Sequence, residues 1–439
     1  MTRSLRCATV VILLGGALQP AAVTAQEADR QHANAVARAD SIRSAYASLR
    51  PAGDHATDWV DVVGFPLKII GFPIDLLLVR LPAFAIGQFT VPRAPSFFVR
   101  AFRAVGEAGV HPGIRTSIGP QSGLGTGIRI DRFDPVVLDA AFALRGSQRH
   151  RVGVRFEEGR AYGGAEVRWQ RDAQAKFYGV GSRTPDDEVL FRREVIDAAA
   201  SAGLPLGGPF ALDAEVGYED NFVREPLRLG DDVSIFEAFG PGELFGTEGR
   251  QRYLRLRAGV DIDLTHQAGF QRRGVALRMT GIAFRGVRDT PSDFHRLTFA
   301  GQGHLPINRR QVLSIGAQTR LTRADAGEVP FYHLAALGGR RSAIGFPSNR
   351  FRDLDMVALT AEWRYEIWRD IHKTARLETF LYFGEGAVGH RLEDIASSDW
   401  HQSYGFGFRM ANVEDLLGLM YFGFSEESFH FGFSAGWQP

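Results

Sequence analysis

Thiol chemistry is nearly absent from this sequence. Its 439 residues contain one cysteine, Cys7, which lies in an apolar run at the start of the chain. The mature chain therefore has no disulfide scaffold, no thiolate nucleophile and no Cys-based zinc site. An excess charge of either sign is lacking as well. With Arg3 and Arg6 removed, the 51 basic residues fall to 49 against 50 acidic ones, and no field for nucleic acid follows. Long charge-free hydrophobic runs are also missing. Trp59 to Val91 is the most apolar stretch, but Pro66, Pro73 and Pro82 break it, and Lys68, Asp75 and Arg80 interrupt what remains. A helix needs about 20 apolar residues to span a bilayer, so no transmembrane helix is expected. The 12 histidines show no ligand spacing and no Walker pattern occurs, so neither metal nor cofactor is expected.

What is present begins with an export signal over residues 1–25. Arg3 and Arg6 form its basic end, Cys7 to Leu18 its apolar run, and Val23-Thr24-Ala25 its cleavage site. Residues 26–110 read as a helical, Pro-punctuated periplasmic or interfacial segment. Val36, Ala39, Ile42, Tyr46 and Leu49 recur at helical spacing ahead of Pro51. Trp59 to Val91 suits short amphipathic helices, lying either on a membrane surface or under a barrel mouth.

From Pro112 onwards the hydrophobic period is two. Leu254, Leu256, Ala258, Val260, Ile262 and Leu264 share one face, and Tyr253, Arg255, Arg257, Gly259, Asp261 and Asp263 share the other. Such runs reach the roughly 9–11 residues that cross a tilted membrane, and their charged faces suit a wet lumen. A lipid-exposed sheet must also close, because no water is there to satisfy an edge. Turn signals mark sixteen strands. They fall at 112–119, 123–132, 136–146, 150–158, 161–171, 188–202, 208–221, 251–264, 272–285, 293–306, 310–322, 355–368, 374–388, 400–411, 414–424 and 428–437. The expectation is an all-β fold: a 16-stranded antiparallel transmembrane β-barrel over 111–439, preceded by a short helical periplasmic segment. Outer-membrane lipid is its solvent.

One stretch organises the rest. Val357, Leu359, Ala361, Trp363, Tyr365 and Ile367 alternate with Ala358, Thr360, Glu362, Arg364 and Glu366, directly after a long Gly- and Arg-rich loop at about 324–354. Gly338-Gly339, Ala343-Ile344-Gly345-Phe346, Arg350-Phe351-Arg352-Asp353 and Glu362-Trp363-Arg364 resemble the signature of the BamA/TamA-like bacterial surface-antigen barrels. The resemblance covers about three quarters of the chain. It implies a sixteen-stranded outer-membrane barrel whose long extracellular loop folds into the lumen. It also implies work in outer-membrane protein assembly or biogenesis, with unfolded outer-membrane proteins or periplasmic assembly partners, through a weak seam between the first and last strands. Two departures stand out. The periplasmic POTRA modules usual in the family are not recognisable, and Ile344 occupies the place of the loop arginine. The last strand's outward Phe429, Phe431, Phe433 and Trp437 resemble the family's assembly signal.

That missing arginine yields a specific expectation. Glu362, Glu378 and Glu385, with Arg364, are the inward wall partners, Glu385 standing where the family places an aspartate. Arg340 or Arg341 is expected to dock on one of the three acids and pin the loop. In the alternative, both arginines face outside water and Arg364 neutralises its neighbours. Catalysis is not expected. Gly432-Phe433-Ser434-Ala435-Gly436 matches the nucleophile-elbow pattern, but that motif needs a strand-turn-helix and partners further along the chain. The other functional readings are a structural or transport barrel without assembly activity and a remnant of a patatin-like phospholipase fusion.

Overall fold

A computed structural model describes residues 109–115, 124–158, 161–185, 187–227, 232–240, 242–268, 271–369, 376–411 and 416–436. The signal, the helical segment and Trp437 lie outside these residues. Sixteen long strands close into an antiparallel barrel. In order they are β1 (Val110–Arg115), β2 (Gly125–Phe133), β3 (Val136–Ala143), β4 (Gln148–Glu158), β5 (Ala161–Phe177) and β6 (Val189–Gly207). Next come β7 (Phe210–Arg224), β8 (Arg250–Asp263), β9 (Gln271–Gly286), β10 (Asp293–Asn308) and β11 (Gln311–Ala326). The circuit ends with β12 (Asp355–Arg369), β13 (Arg376–Gly389), β14 (His401–Ala411), β15 (Leu416–Ser425) and β16 (Phe429–Gly436). Two further short strands, Val233–Ser234 and His266–Ala268, join the same sheet at its ends.

Two-faced strands explain the closure. On β8, Leu254 and Leu256 are 49% and 43% exposed on the outer wall, whereas Tyr253 is fully buried on the lumenal side. Val152, Val167, Val216, Leu277, Phe299 and Ile315 continue the outer apolar band around the barrel. Such a surface is stable only against lipid, and closure pairs the backbone groups that lipid cannot satisfy. Among the described residues no helix is long and apolar enough to cross a membrane; strands make the crossing. This is a transmembrane β-barrel.

All the turns at one end are short and several loops at the other are long, which orients periplasm and exterior respectively. The sequence boundaries hold to within a few residues, with one systematic extension. β5 and β6 reach 17 and 19 residues. Their outer ends carry Phe177, Val189 and Phe191 into an apolar cap with Val223, Ile235 and Phe239. Ile235 opens a one-turn helix α1 (Ile235–Ala238) in the β7–β8 loop, capped by Ser234. A second single turn, α2 (Leu392–Ile395), follows β13.

The barrel is joined tightly almost everywhere. β5 and β6 pair from Tyr162↔Gly203 to Phe177↔Val189. The β1–β16 junction is described at its periplasmic end alone. Among the described residues it consists of three pairs at the periplasmic end: Gly113↔Gly436, Ile114↔Ala435 and Arg115↔Ser434. Pro112 lies within β1, where it can donate no ladder bond, and glycines face each other at Gly113 and Gly436.

Candidate functional site: a loop across the lumen

Residues 327–354, between β11 and β12, cross the lumen and fasten at both walls. The crossing starts in a 3-10 turn, Phe331–His333. The Phe331 ring lies 5.0 Å from the rings of both Phe177 and Phe191. The Arg193 guanidinium sits 4.3 Å from the centre of the Tyr332 ring. His333 packs among Tyr253, Phe284 and Phe294, its Nε2 3.2 Å from Glu219 Oε1, and its carbonyl accepts from Arg296 Nη2. Burial pushes this imidazole below its ordinary range, against the opposing pull of Glu219.

The wall beneath this anchor is an ion-pair lattice. Asp197 takes Arg168 at 2.9 Å and Arg255 at 2.7 Å. Arg255 also reaches Glu215 and Glu219, and Asp213 takes Arg257 and Arg278, each at 2.9 Å. Arg168 and Asp197 face each other in register, Arg255 and Arg257 reach diagonally to acids of β7, and Arg255 and Arg278 span one strand to Asp197 and Asp213.

The tip folds as a small unit of its own. Ala335–Leu337 pairs with Phe351–Asp353, and Gly338 and Gly339 turn the chain with φ of +116° and +82°. A Cβ on Gly338 would stand 2.2 Å from the Pro347 carbonyl oxygen, so the turn demands glycine. Ile344 is buried against Phe380, Tyr382 and Leu419, on the wall made by β13 and β15. That wall is carved by small residues. A Cβ on Gly423 would meet Ile344 O at 2.3 Å, and one on Gly405 would meet the Ile344 side chain at 2.9 Å. Gly345 is equally tight, its own Cβ position lying 2.3 Å from the Phe424 carbonyl carbon. The Gly345 carbonyl accepts from Ser425 Oγ and Ser428 Oγ, both at 2.9 Å, and Tyr382 Oη donates to Ser342 O at 3.0 Å.

The return limb carries the strongest contacts. Arg350 is 1% exposed. It grips Glu427, in the β15–β16 turn, with Nε at 2.6 Å and Nη2 at 2.9 Å. It also donates to Thr184 Oγ1 at 2.6 Å and Thr184 O at 3.1 Å, in the β5–β6 loop. The rings of Tyr178 and Phe351 lie 4.6 Å from it. One planar fork thus ties three loops from separate parts of the barrel. Phe351 stacks on His401 at 3.6 Å, with Phe346 edge-on to both.

This architecture has known counterparts. The barrel has the BamA fold. BamA from Haemophilus ducreyi lacking POTRA domains 1–3 aligns with a TM-score of 0.54 at 15% identity, over 74% of this chain and 69% of that one. CdiB from Escherichia coli aligns at 0.53 and 12% identity, over 75% of this chain and 63% of that one. CdiB from Acinetobacter baumannii aligns at 0.45 and 11% identity, over 74% and 59%. No protein-family model matches the sequence, and no curated protein matches it.

Several residues singled out from the sequence stand elsewhere than expected. Neither Arg340 nor Arg341 forms an ion pair with Glu362, Glu378 or Glu385. Glu362 takes Arg409 at 3.1 Å and Arg364 at 3.4 Å, and Glu378 takes Arg376 at 3.0 Å. Arg364 and Arg376 stand two residues from these acids on the same strands, and Arg409 reaches across from β14, which costs less ordering than recruiting a loop. Glu385 is not an inward partner at all. It pairs across the ladder with outward Leu359 and accepts from Gln402 Nε2 on the outer rim. Its odd number puts it on the face opposite Glu378, so strand period overrides the family position. Arg340 and Arg341 are exposed inside the lumen, Arg341 lining a cavity with Asp261, Asp263 and Thr360.

Other residues gain company. Arg352 and Asp353 are buried, Arg352 Nη1 donating to Phe331 O at 3.3 Å and Asp353 Oδ1 accepting from Leu354 N–H at 2.8 Å. Burial, with Asp355 and Asp394 nearby, pushes the Asp353 carboxyl up to about 7. Phe429, Phe431 and Phe433 face outward. Ser434 lies within the ladder of β16, not on a strand-to-helix turn.

Proposed function

We propose that this barrel assists the assembly of other outer-membrane components by opening sideways at the β1–β16 junction. The observation that carries the proposal is the make-up of the seam's described part, where Pro112 can donate no ladder bond and Gly113 faces Gly436. A strand end with a proline and facing glycines makes fewer ladder bonds, each worth about 1 kcal/mol net, so it opens at lower cost than its neighbours. The exposed β16 edge then offers backbone donors and acceptors to an incoming strand. Phe429 and Phe431 on the outer face of β16, with Phe422 and Phe424 beside them, would disturb lipid at that place. The same likeness to BamA and CdiB supports this reading, which involves no enzymatic step.

A structural or transport barrel is the second reading, favoured by the Arg350 clamp that keeps a loop across the lumen. One experiment separates them. Ile114→Cys with Ala435→Cys places two thiols face to face across the seam, in a mature chain that otherwise has none. Assembly through the seam predicts that loss of the protein lowers the levels of other outer-membrane proteins. The cross-linked variant then fails to restore them, and a reductant rescues it. Unchanged levels on depletion, or full function when cross-linked, would rule out the seam mechanism.

A further inference from the structure

At one cavity on the described part of the lumenal wall, charge matching fails. Between the loop and strands β5, β6, β10 and β11 lies a cavity of about 210 Å³. Arg193, Arg296, Arg320 and Arg352 line it, with Asp172 as its one carboxylate. Asp172 is already engaged, both its oxygens accepting from Gln170 Nε2 at 3.0 Å. Arg193 is engaged too, with Asn221 and Glu219.

The other three guanidiniums are not answered by acid. Arg296 donates to the His333 carbonyl and Arg352 to the Phe331 carbonyl, each leaving Nε without a hydrogen-bond partner among the described residues. Arg352 is 6% exposed. The Nε of Arg320 is likewise buried and unpartnered among these residues. Only a short distance round the wall, Arg255 alone meets three carboxylates. Guanidiniums clustered without carboxylates repel one another and forgo donors that burial makes costly to leave unmade. Their complement is an oxyanion, whose geometry the guanidinium fork fits and whose multiple charge matches the excess.

We propose that this cavity is a binding site for a phosphate group, either free or at the end of a phosphate ester. The cavity has room for roughly seven waters at about 30 Å³ each, enough for one such group with part of its hydration. Arg296 and Arg320 belong to the wall, whereas Arg352 belongs to the loop. An anion shared among them fastens loop to wall, so occupancy and loop docking are linked.

The test uses the full barrel in a maltoside detergent, at constant ionic strength. Inorganic phosphate, pyrophosphate and dihexanoyl phosphatidic acid are titrated separately against a chloride control. Melting temperature, phosphorus-31 line width and tryptic cleavage after Arg340 and Arg341 are followed. The expected result is a melting rise of several degrees with line broadening and slower cleavage, at phosphate concentrations where chloride does nothing. Arg320→Gln and Arg352→Gln should each weaken the response at least tenfold. Arg320→Gln in chloride should melt no lower than the parent, because it relieves repulsion. A response to the free anions alone identifies a soluble phosphate; a response to phosphatidic acid identifies a lipid headgroup. Equal melting and line width in phosphate, pyrophosphate, phosphatidic acid and chloride would overturn the proposal. So would a response that survives unchanged in both variants, and the comparison with chloride needs no variant to fold.

Discussion

Replacing Arg350 by glutamine tests what holds the loop inside the barrel. The change removes a two-point ion pair to Glu427 at 2.6 and 2.9 Å and the donors to Thr184. Breaking a buried pair by deleting one partner costs about 3–5 kcal/mol. Glu427 keeps 17% of its side-chain exposure, so water compensates part of the loss and the low end, about 3 kcal/mol, applies. At about 1.4 kcal/mol per tenfold, the undocked loop becomes more populated by on the order of a hundredfold. Arg340 and Arg341 turn that population into a readout, since a protease reaches them only when the tip leaves the lumen. Where reclosing outpaces cutting, the cleavage rate follows the open fraction. Mass analysis of fragments ending at these two residues should therefore show on the order of a hundredfold faster release in Arg350→Gln. A double-mutant cycle with Glu427→Gln should return a coupling of about 2 kcal/mol. If Arg350→Gln is cut at the parental rate, or the cycle returns no coupling, the clamp does not hold the loop.

Three more expectations follow from the same geometry. Gly345→Val puts a side chain against the Phe424 backbone, where the Cβ position is already 2.3 Å from the carbonyl carbon, so the tip should leave its seat and single-channel conductance should rise. Ile344→Arg, which restores the residue type usual in the resembling family, should destabilise the barrel by about 3 kcal/mol in urea titrations, because Phe380, Tyr382 and Leu419 offer the charge no acid. Asp353 supplies a pH dependence. Its docked carboxyl titrates near 7 against an ordinary 3.8, so docking takes up a proton, and loop protection should weaken as pH rises from about 4 through 7; Asp353→Asn should flatten that profile.

The barrel was legible because each crossing strand faces two different solvents. Lipid on one side and water on the other impose an alternation of period two, and β8 and β16 carry it along much of their length. Leu254 and Phe431 could be set outward from parity alone. Parity also contained the fate of Glu385, an odd-numbered residue on a strand whose inward acid, Glu378, is even. Period is a stronger constraint on this strand than motif position. The extensions of β5 and β6 were harder to see. Beyond the membrane those strands are covered by loop residues such as Phe331 and Ile235, so both faces become apolar and the period fades.

The loop shows why a site is less legible than its scaffold. Its sequence asked which arginine replaces the one absent at position 344, and the neighbours Arg340 and Arg341 were the local answer. The structure answers the question with two separate devices. The seat itself turns apolar: Ile344 fills a hollow left by Gly405 and Gly423, and main-chain carbonyls take the polar contacts. The cationic grip moves six residues along the chain to Arg350, whose partners lie 77 and 166 residues away. No local pattern encodes such separations, because Thr184 and Glu427 meet Arg350 only after the barrel has closed and brought three loops to one rim. A buried arginine beside two aromatic rings was visible in Arg350-Phe351 and Tyr178 only as residue types. The closure of sixteen strands turns those types into a clamp, so the loop can dock only after the wall exists.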